Sequence, residues 1–367
     1  MSLSVLSVSY PFAQVRPDAA GGAEQVLLSL DAAIVRSGCQ SIVIAPEGSK
    51  VKGALEPLPL VKGRIDGEAR SYIYGLCRRA IGFALKYWKV DAVHMHGLDF
   101  SEYLPEAGPI VLVTLHLPVS WYSHEALRVK RPLTFFNCVS KSQRAACPPD
   151  VEVISTVANG VDLERFAARV SRRDYALSIG RICPEKGFHL AMDAARLSRV
   201  RFVLAGTVFP YEAHEQYFAA EIAPRIDNRW CRFAGPVGIE RKRRLLAGAR
   251  CLLIPSLAPE TSSLVAMEAL ASGTPVIAFP VGALPEIIEH GRTGYIVRDA
   301  FEMAEAISKA ENISREECVA ASKRFSSTEM SGKYIGLYRK LTEIKRSGGA
   351  DAQGLSDRGD NGAERPS

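Results

Sequence analysis

The fold of this chain is decided by residues 253–278, which read LIPSLAPETSSLVAMEALASGTPVIA. An apolar strand ends at Pro255, and a polar loop with a second proline follows it. A helix then begins after the three hydroxyl residues 261–263, because such side chains suit the N-cap position. Gly273 ends the helix, and the apolar run after Pro275 predicts the next strand. The stretch is one strand–loop–helix–strand unit of a parallel sheet, with its helix N-terminus at the carboxyl edge.

Two carboxylates flank the start of that helix. Glu260 lies in the loop just before it, and Glu268 lies two turns inside it. The free amides of a helix N-terminus attract an anion, and ionised carboxylates make strong hydrogen bonds to sugar hydroxyls. A phosphate on the amides would leave one carboxylate near each end of a larger ligand. The sequence therefore predicts a site for a sugar attached to a nucleotide diphosphate.

A second motif places two cations at the same kind of edge. A predicted strand ends at Gly180, and Arg181 and Lys186 follow before the next helix. Arginine offers a bidentate fork to phosphate oxygens, and lysine offers a compact charge. Near the N-terminus, the paired glycines Gly21 and Gly22 open another helix, which allows the backbone to approach a ligand closely. A plain tight turn into a helix is the alternative interpretation of these glycines.

Together these motifs resemble the retaining glycosyltransferases of family 4, also known as glycosyl transferases group 1. The chain has two glutamates with seven residues between them, Gly-Thr-Pro-Val-Ile-Ala at 273–278, and every fixed position of the pattern Gly-Arg-x-x-x-Glu-Lys-Gly at 180–187. The resemblance covers roughly residues 1–345. It implies an α/β fold of the GT-B type, in which two Rossmann-like, doubly wound parallel-sheet domains face a cleft. It also implies a C-terminal helix that crosses back to the first domain.

A length of 367 residues suits two α/β domains. We predict an N-terminal acceptor-side domain at 1–168, a linker at 169–174 and a C-terminal nucleotide-sugar-binding domain at 175–327. A crossover helix at 328–345 and a disordered tail at 346–367 complete the chain. The tail is rich in Gly, Asp and Ser, so it cannot bury enough apolar surface to order itself.

Composition and charge exclude several functional classes. The formal charge is +6, from 46 basic and 40 acidic residues, and no nucleic-acid-binding motif accompanies it. The eight cysteines are scattered singly without zinc-site spacing, which indicates reduced core residues. No window has the roughly 20 apolar residues of a membrane helix, and the first residues lack a signal-peptide pattern. We expect a cytoplasmic protein with no nucleic-acid partner.

Residues 61–90 form a basic stretch, with seven Lys or Arg against two acidic residues and with aromatic residues between the charges. Two interpretations are open. The first is a core-packed helix with a solvated outer face. The second is peripheral contact of an amphipathic basic helix with the anionic inner face of a membrane. A second basic run, 240–244, is interpreted as a solvated helix face.

The resemblance also assigns roles at the site. Arg181 and Lys186 would neutralise the diphosphate, Glu268 would hold the ribose, and Glu260 would hold the donor sugar. Two histidines, His96 and His116, end predicted strands that point at the cleft, with structural roles as the alternative; for His94 a structural role is favoured. The predicted catalytic residues are His116, Arg181, Lys186 and Glu260. The predicted donor-binding residues are Gly21, Gly22, Gly180, Ser262, Ser263, Leu264, Glu268 and Gly282.

The predicted reaction moves a hexose-type sugar from a nucleotide diphosphate sugar to a hydroxyl of a glycan, lipid-linked or small-molecule acceptor. The resemblance implies retention of configuration without a metal or cofactor, and no Asp-x-Asp pair occurs in a suitable loop. Relatives often carry an aromatic residue and a glycine where this chain has 261–263, which leaves the donor sugar open. A GT-B phosphorylase, a nucleotide-sugar epimerase and an inert nucleotide-binding homologue are alternatives. A nicotinamide dehydrogenase ranks last, because the paired glycines lack G-x-G-x-x-G spacing.

Overall fold

A computed structural model describes residues 3–19, 21–61, 63, 65–167, 170–171 and 173–346. Residues 169 and 172 of the predicted linker at 169–174 lie outside these ranges, as does the predicted tail at 346–367 after residue 346. Within the described residues, no helix is both long and apolar enough to cross a membrane.

The first sheet has seven parallel strands in the order β3-β2-β1-β4-β5-β6-β7. The residues of the three central strands, β1, β4 and β5, are buried on both faces, as expected for a parallel sheet covered by helices on each side. The strands are β1 (Ser4–Val8), β2 (Gln40–Pro46), β3 (Ala54–Leu58), β4 (Ala92–Met95), β5 (Ile110–Leu115), β6 (Thr134–Cys138) and β7 (Val153–Thr156). The order reverses between β1 and β4, which are direct neighbours.

Strand β3 was not predicted from the sequence. It contains Pro57, which cannot donate a ladder hydrogen bond, and only its last residue, Leu58, is buried. Such a segment is stable as an edge strand, and β3 pairs with β2 at the edge of the described sheet. The formation of β3 therefore depends on its pairing with β2 rather than on the hydrophobic pattern of its own residues.

The second sheet has six parallel strands in the order β10-β9-β8-β11-β12-β13. They are β8 (Tyr175–Ile179), β9 (Arg201–Ala205), β10 (Cys231–Phe233), β11 (Cys251–Ile254), β12 (Val276–Ala278) and β13 (Gly294–Ile296). The order reverses between β8 and β11. The unit predicted at 253–278 is present, with β11 and β12 paired and a helix between them.

Twelve α-helices connect and cover the strands of the described chain. Those of the first half are α1 (Gly22–Arg36), α2 (Gly67–Tyr87), α3 (Lys141–Ala145) and α4 (Leu163–Phe166). Those of the second half are α5 (Phe188–Leu197), α6 (Glu212–Tyr217), α7 (Ile239–Gly248), α8 (Leu264–Ala271), α9 (Leu284–Ile287), α10 (Ala300–Lys309), α11 (Arg315–Ser322) and α12 (Ser327–Arg346).

The last helix, α12, packs on the first domain beside α1. Its residues Tyr334 and Tyr338 are fully buried. The Tyr338 hydroxyl lies 2.7 Å from His94 Nδ1, and the other ring nitrogen of His94 lies 2.7 Å from the Thr114 hydroxyl. His94 is therefore a structural histidine that joins β4 to α12. The two parallel sheets and this crossing helix confirm the predicted α/β architecture.

Candidate active site

The candidate site lies where the strand order of the second sheet reverses. The loop after β8 carries Arg181 and Lys186, and the loop after β11 carries Glu260. Since β8 and β11 are neighbours, their carboxyl ends bring these loops side by side. Ligands of open parallel sheets bind at such a reversal point. Predicted catalytic residues from distant parts of the chain therefore share one sheet edge.

Lys186 and Glu260 form a direct ion pair, with Nζ 2.6 Å from Oε1. The same carboxylate oxygen accepts a hydrogen bond from the Ser256 hydroxyl. The Glu260 side chain is 11% exposed and that of Lys186 is 26% exposed, so both remain within reach of a ligand. Glu260 is thus held in place by a cation and a hydroxyl, with one carboxylate oxygen left for a further partner.

Arg181 lies across from the first domain. Burial raises the pKa of the Glu24 carboxyl, and attraction from Arg181 opposes that rise. Glu24 lies two residues after Gly22 in α1 and is 7% exposed. Gly22 also meets the second domain, because a Cβ at this position would lie 3.4 Å from Leu264 Cδ1. The glycine-rich helix start of the first domain therefore abuts the phosphate-binding elements predicted for the second.

The second glutamate, Glu268, is in a different environment from Glu260. It is 2% exposed and forms an ion pair with Lys242 on α7, whose side chain is 15% exposed. Burial raises the pKa of the Glu268 carboxyl, and the Lys242 ammonium opposes that rise. Lys242 covers the carboxylate predicted to bind ribose.

The start of α8 provides backbone donors. Ser263 is the N-cap residue, but its side chain makes no capping hydrogen bond. The buried Ser262 hydroxyl also has no partner within the described residues. Gly282 faces this segment with φ of +58°, and a Cβ there would collide with the backbone of Glu260. Close packing against the Glu260 backbone therefore explains why a glycine occupies position 282. The predicted contact of Gly282 with the donor stays a prediction. A Cβ at Gly180 would lie 3.2 Å from the Phe188 ring.

Two histidines form the edge of the first domain. His96 Nδ1 lies 3.0 Å from His116 Nε2, and the two rings are stacked with an interplanar angle of 17°. Burial lowers the pKa of His116 to about 4, and burial together with the neighbouring histidines lowers the pKa of His96. Both rings are therefore neutral at neutral pH. The outer nitrogens, His96 Nε2 and His116 Nδ1, are buried without partners among the described residues.

Side chains of the second domain also bind the first domain directly. The Thr261 hydroxyl donates a 2.8 Å hydrogen bond to the His116 carbonyl oxygen. The Glu286 carboxylate accepts hydrogen bonds from the backbone N–H groups of Lys141 and Ser142, at 3.0 and 2.6 Å. These amides begin α3, where unpaired donors favour a carboxylate. The two domains are thus fastened at both sides of the candidate site.

Sequence reasoning missed Lys242 and Glu286 as members of this region. Lys242 was assigned to a solvated helix face, yet it lies one turn before the buried Leu246 on the same side of α7. That spacing is the signal that could have identified it. Glu286 offers no comparable signal, because its partners are backbone amides 144 and 145 residues away.

Residues 173–312 match the family model described as Glycosyl transferases group 1. This segment contains both cations, both glutamates and the start of α8. The second domain is a glycosyl transferases group 1 domain. The resemblance stated from the sequence is thereby confirmed.

Part of the chain is similar to curated glycosyltransferases and a glycogen synthase. The chain is 34% identical over 168 residues to glycogen synthase of Mycobacterium tuberculosis. This alignment covers 43% of the chain and 40% of the relative. It is 29% identical over 231 residues to D-inositol 3-phosphate glycosyltransferase of Corynebacterium efficiens, covering 54% of each. The matched segment thus spans about half or less of these relatives.

Several solved structures share the fold of almost the whole chain. AviGT4, a glycosyltransferase involved in avilamycin A biosynthesis, superposes with a TM-score of 0.67 at 24% identity, covering 93% of this chain and 98% of its own. Sucrose-phosphate synthase from Thermosynechococcus elongatus superposes with a TM-score of 0.76 at 18% identity. The match covers 93% of this chain and 100% of the synthase chain. Anabaena HepE in complex with UDP and glucose superposes with a TM-score of 0.70 at 18% identity. The match covers 91% of this chain and 99% of the HepE chain. The predicted GT-B fold is confirmed.

Proposed function

We propose that the protein is a glycosyltransferase that moves a hexose-type sugar from a nucleotide diphosphate sugar to an acceptor hydroxyl. The observation that carries this proposal is the ion pair of Lys186 and Glu260 at the reversal point of a group 1 domain. A fixed cation beside a fixed carboxylate is suited to a ligand with a phosphate at one end and a sugar at the other. The similarity to a glycogen synthase and to a D-inositol 3-phosphate glycosyltransferase supports the same class.

In this mechanism, the bond between the anomeric carbon and the diphosphate breaks while the acceptor oxygen bonds to the same face of that carbon. Attack on that same face gives retention of configuration, and a departing phosphate oxygen on that face would take the acceptor proton. Arg181, Lys186 and the amides at the start of α8 would stabilise the departing negative charge. Such preorganised donors are typically worth a few kcal/mol each. Fixed cations make a metal-independent reaction chemically reasonable.

The two glutamates and the histidine pair would bind the rest of the donor. Glu260 would share its carboxylate between Lys186 and hydroxyls of the sugar. Glu268 would bind the ribose once Lys242 moves aside. His116 is neutral, so it would offer a ring nitrogen to the sugar rather than a charge. Because His116 belongs to the other domain, the site would be complete only when both domains face the ligand.

The donor is tested with the full chain and a panel of UDP-, GDP- and ADP-sugars in a thermal-shift assay, since ligand binding raises apparent stability. Anabaena HepE was solved with UDP and glucose, so we expect the UDP-sugars to give the largest shift. Arg181→Ala should abolish the shift, whereas Arg298→Ala, an exposed arginine of the same domain, should preserve it. The proposal fails if no nucleotide sugar shifts the wild-type protein.

Product analysis separates the alternatives. A transferase releases nucleoside diphosphate from the donor, slowly to water and faster with an acceptor. A phosphorylase would instead release inorganic phosphate when it joins a sugar phosphate to a glycan. A 2-epimerase would convert the donor sugar without an acceptor, and an inert homologue would bind donor without releasing nucleotide. We expect nucleotide release, and any of the other three outcomes overturns the assignment.

We also propose that α2 contacts an anionic membrane surface, where a lipid-linked acceptor would be available. Three aromatic residues on this helix are strongly exposed: Tyr72 (61%), Phe83 (56%) and Tyr87 (70%). Their spacing places them on one helix face together with the exposed Arg79 and Lys86. Aromatic residues between cations are typical of helices that lie in the membrane interface.

This contact is tested by flotation with vesicles that contain phosphatidylglycerol, with phosphatidylcholine vesicles as the reference. We expect the wild-type protein to float with the anionic vesicles only. The double variant Phe83→Ser and Tyr87→Ser should stay at the bottom of the gradient. Phe301→Ser, a change of another highly exposed aromatic residue, is the matched control and should float like the wild type. Equal behaviour of all three proteins would refute the membrane contact.

A further inference from the structure

A cluster of metal-binding side chains lies next to the candidate active site. Atoms of Cys183, Glu185 and His214 that are able to bind a metal all lie within 4.8 Å of one another. Cys183 and Glu185 belong to the turn that connects Arg181 to Lys186, and His214 belongs to α6. The sequence showed no zinc-site spacing, because the histidine reaches this position only through the packing of α6 on the turn.

The cluster has the features of a preformed site. Cys183 is 1% exposed, so its sulfur occupies a fixed position. The His214 ring packs edge-on against Tyr211, with ring centroids 5.1 Å apart. Its Nδ1 atom is buried, yet it has no hydrogen-bond partner within the described residues. A buried ring nitrogen without a partner is costly unless a ligand uses it.

The donor set selects the class of metal. A sulfur, an imidazole nitrogen and a carboxylate oxygen form the mixed set that suits Zn²⁺, which prefers four ligands in a tetrahedron. Magnesium and calcium prefer six or more oxygen ligands, which this cluster cannot supply. Three protein ligands leave the fourth position for water.

We propose that Cys183, Glu185 and His214 bind a Zn²⁺ ion that fastens the turn 183–186 to α6. On binding, the Cys183 thiol gives its proton to solvent, and the thiolate sulfur bonds to the metal. The Glu185 carbonyl oxygen already accepts a 2.8 Å hydrogen bond from the amide of Leu257, in the loop that carries Glu260. The ion would therefore stabilise the position of Arg181 and Lys186 relative to that loop, as a structural site outside the chemical step.

The test uses the purified full-length protein, stripped of metal with a chelator and kept reduced by a phosphine. Cobalt(II) is added as a spectroscopic probe, and Zn²⁺ affinity is measured by competition with a chromophoric chelator. We expect a thiolate-to-cobalt charge-transfer absorption that Zn²⁺ removes, and one ion bound per chain. Neither measurement requires a nucleotide sugar, so the result is independent of the proposed reaction.

Variants assign the ligands. Cys183→Ala should lose the charge-transfer band, and His214→Gln and Glu185→Gln should each lower Zn²⁺ affinity by more than about tenfold. Cys39→Ser and His290→Gln replace a cysteine and a histidine outside the cluster and should bind like the wild type. Because His214 and Glu185 are not buried, their variants keep the test valid if Cys183→Ala fails to fold. Failure of the wild type to bind, or equal binding by the ligand variants and the controls, overturns the proposal.

Discussion

The two sheet edges that face each other at the candidate site differ in charge. The first-domain edge presents the neutral histidines His96 and His116 and the glycine-rich start of α1. The second-domain edge presents Lys186 and Lys242, each paired with a glutamate. A diphosphate ligand needs cations, whereas a sugar and an acceptor hydroxyl need neutral or carboxylate hydrogen-bonding groups. This difference is the basis of our proposal that the second domain would hold the charged part of the ligand.

The same difference separates the two glutamates within the second domain. Glu260 is 11% exposed and shares an oxygen between Lys186 and Ser256. Glu268 is 2% exposed and is covered by Lys242. Paired charges at different depths can therefore serve different parts of one ligand. Each of the following predictions tests one part of this contrast.

The largest effect is expected for Lys186→Ala. The variant removes the cation that lies 2.6 Å from Glu260, so turnover should fall at least tenfold and on the order of 100-fold. The measurement is nucleotide release from the donor that binds best. Lys309→Ala, at an exposed lysine of the same domain, should keep wild-type turnover. Near wild-type turnover of a folded Lys186→Ala protein would remove Lys186 from the mechanism.

The second prediction concerns His116, at the first-domain edge, and the pH dependence of stability. The pKa of His116 is about 4 in the folded protein against an ordinary value of 6.5. Between these values the unfolded chain binds a proton that the folded chain lacks, so stability present above pH 6.5 is lost as the pH falls toward 4. At pH 5 this histidine should lower the free energy of unfolding by about 2 kcal/mol.

The check is urea unfolding of the wild type and His116→Gln at pH 7.5 and pH 5. Glutamine does not titrate in this range, so the variant should lose less stability than the wild type on acidification. His290→Gln, at an exposed histidine, should behave like the wild type. Identical losses in all three proteins would show that His116 is not held neutral by burial.

The third prediction concerns Glu268→Gln. If Glu268 binds the ribose, nucleotide affinity should fall about tenfold, because a charged hydrogen bond of roughly 1.5 kcal/mol or more is lost. Turnover at saturating donor should change less. Calorimetry with UDP measures the affinity, and Glu302→Gln, at a half-buried glutamate paired with the exposed Arg298, is the control. Unchanged affinity with a lower unfolding temperature would assign Glu268 to packing with Lys242 alone.

The smallest effect is expected for Tyr338→Phe. The change removes the hydroxyl that lies 2.7 Å from His94 Nδ1 and leaves that buried nitrogen without its partner. Unfolding should become easier by about 1 kcal/mol, with turnover unchanged. Thermal unfolding measures the change, and Tyr72→Phe, at an exposed tyrosine, should have no effect. A large loss of turnover would mean that α12 positions the first-domain edge, with its neutral histidines His96 and His116, for catalysis.

Local patterns predicted the elements and the charged loops. The unit at 253–278 and the motif at 180–187 are contiguous, so strand, turn and helix preferences act within a few residues of Arg181, Lys186 and Glu260. Parallel-sheet topology then implies that these loops meet at the carboxyl edge, since the side chains follow neighbouring strands. The sequence could therefore predict which residues share the second-domain edge.

Only the tertiary structure decided which partner each group has. Lys242 belongs to a basic run on α7, and its pairing with Glu268 follows from how α7 packs beside α8. His214 reaches Cys183 and Glu185 through the packing of α6. The Glu286 carboxylate binds backbone amides of the other domain. These contacts join residues far apart in the chain, and their energies depend on burial and on distances of a few ångströms. Periodicity and motif spacing carry information about neither quantity.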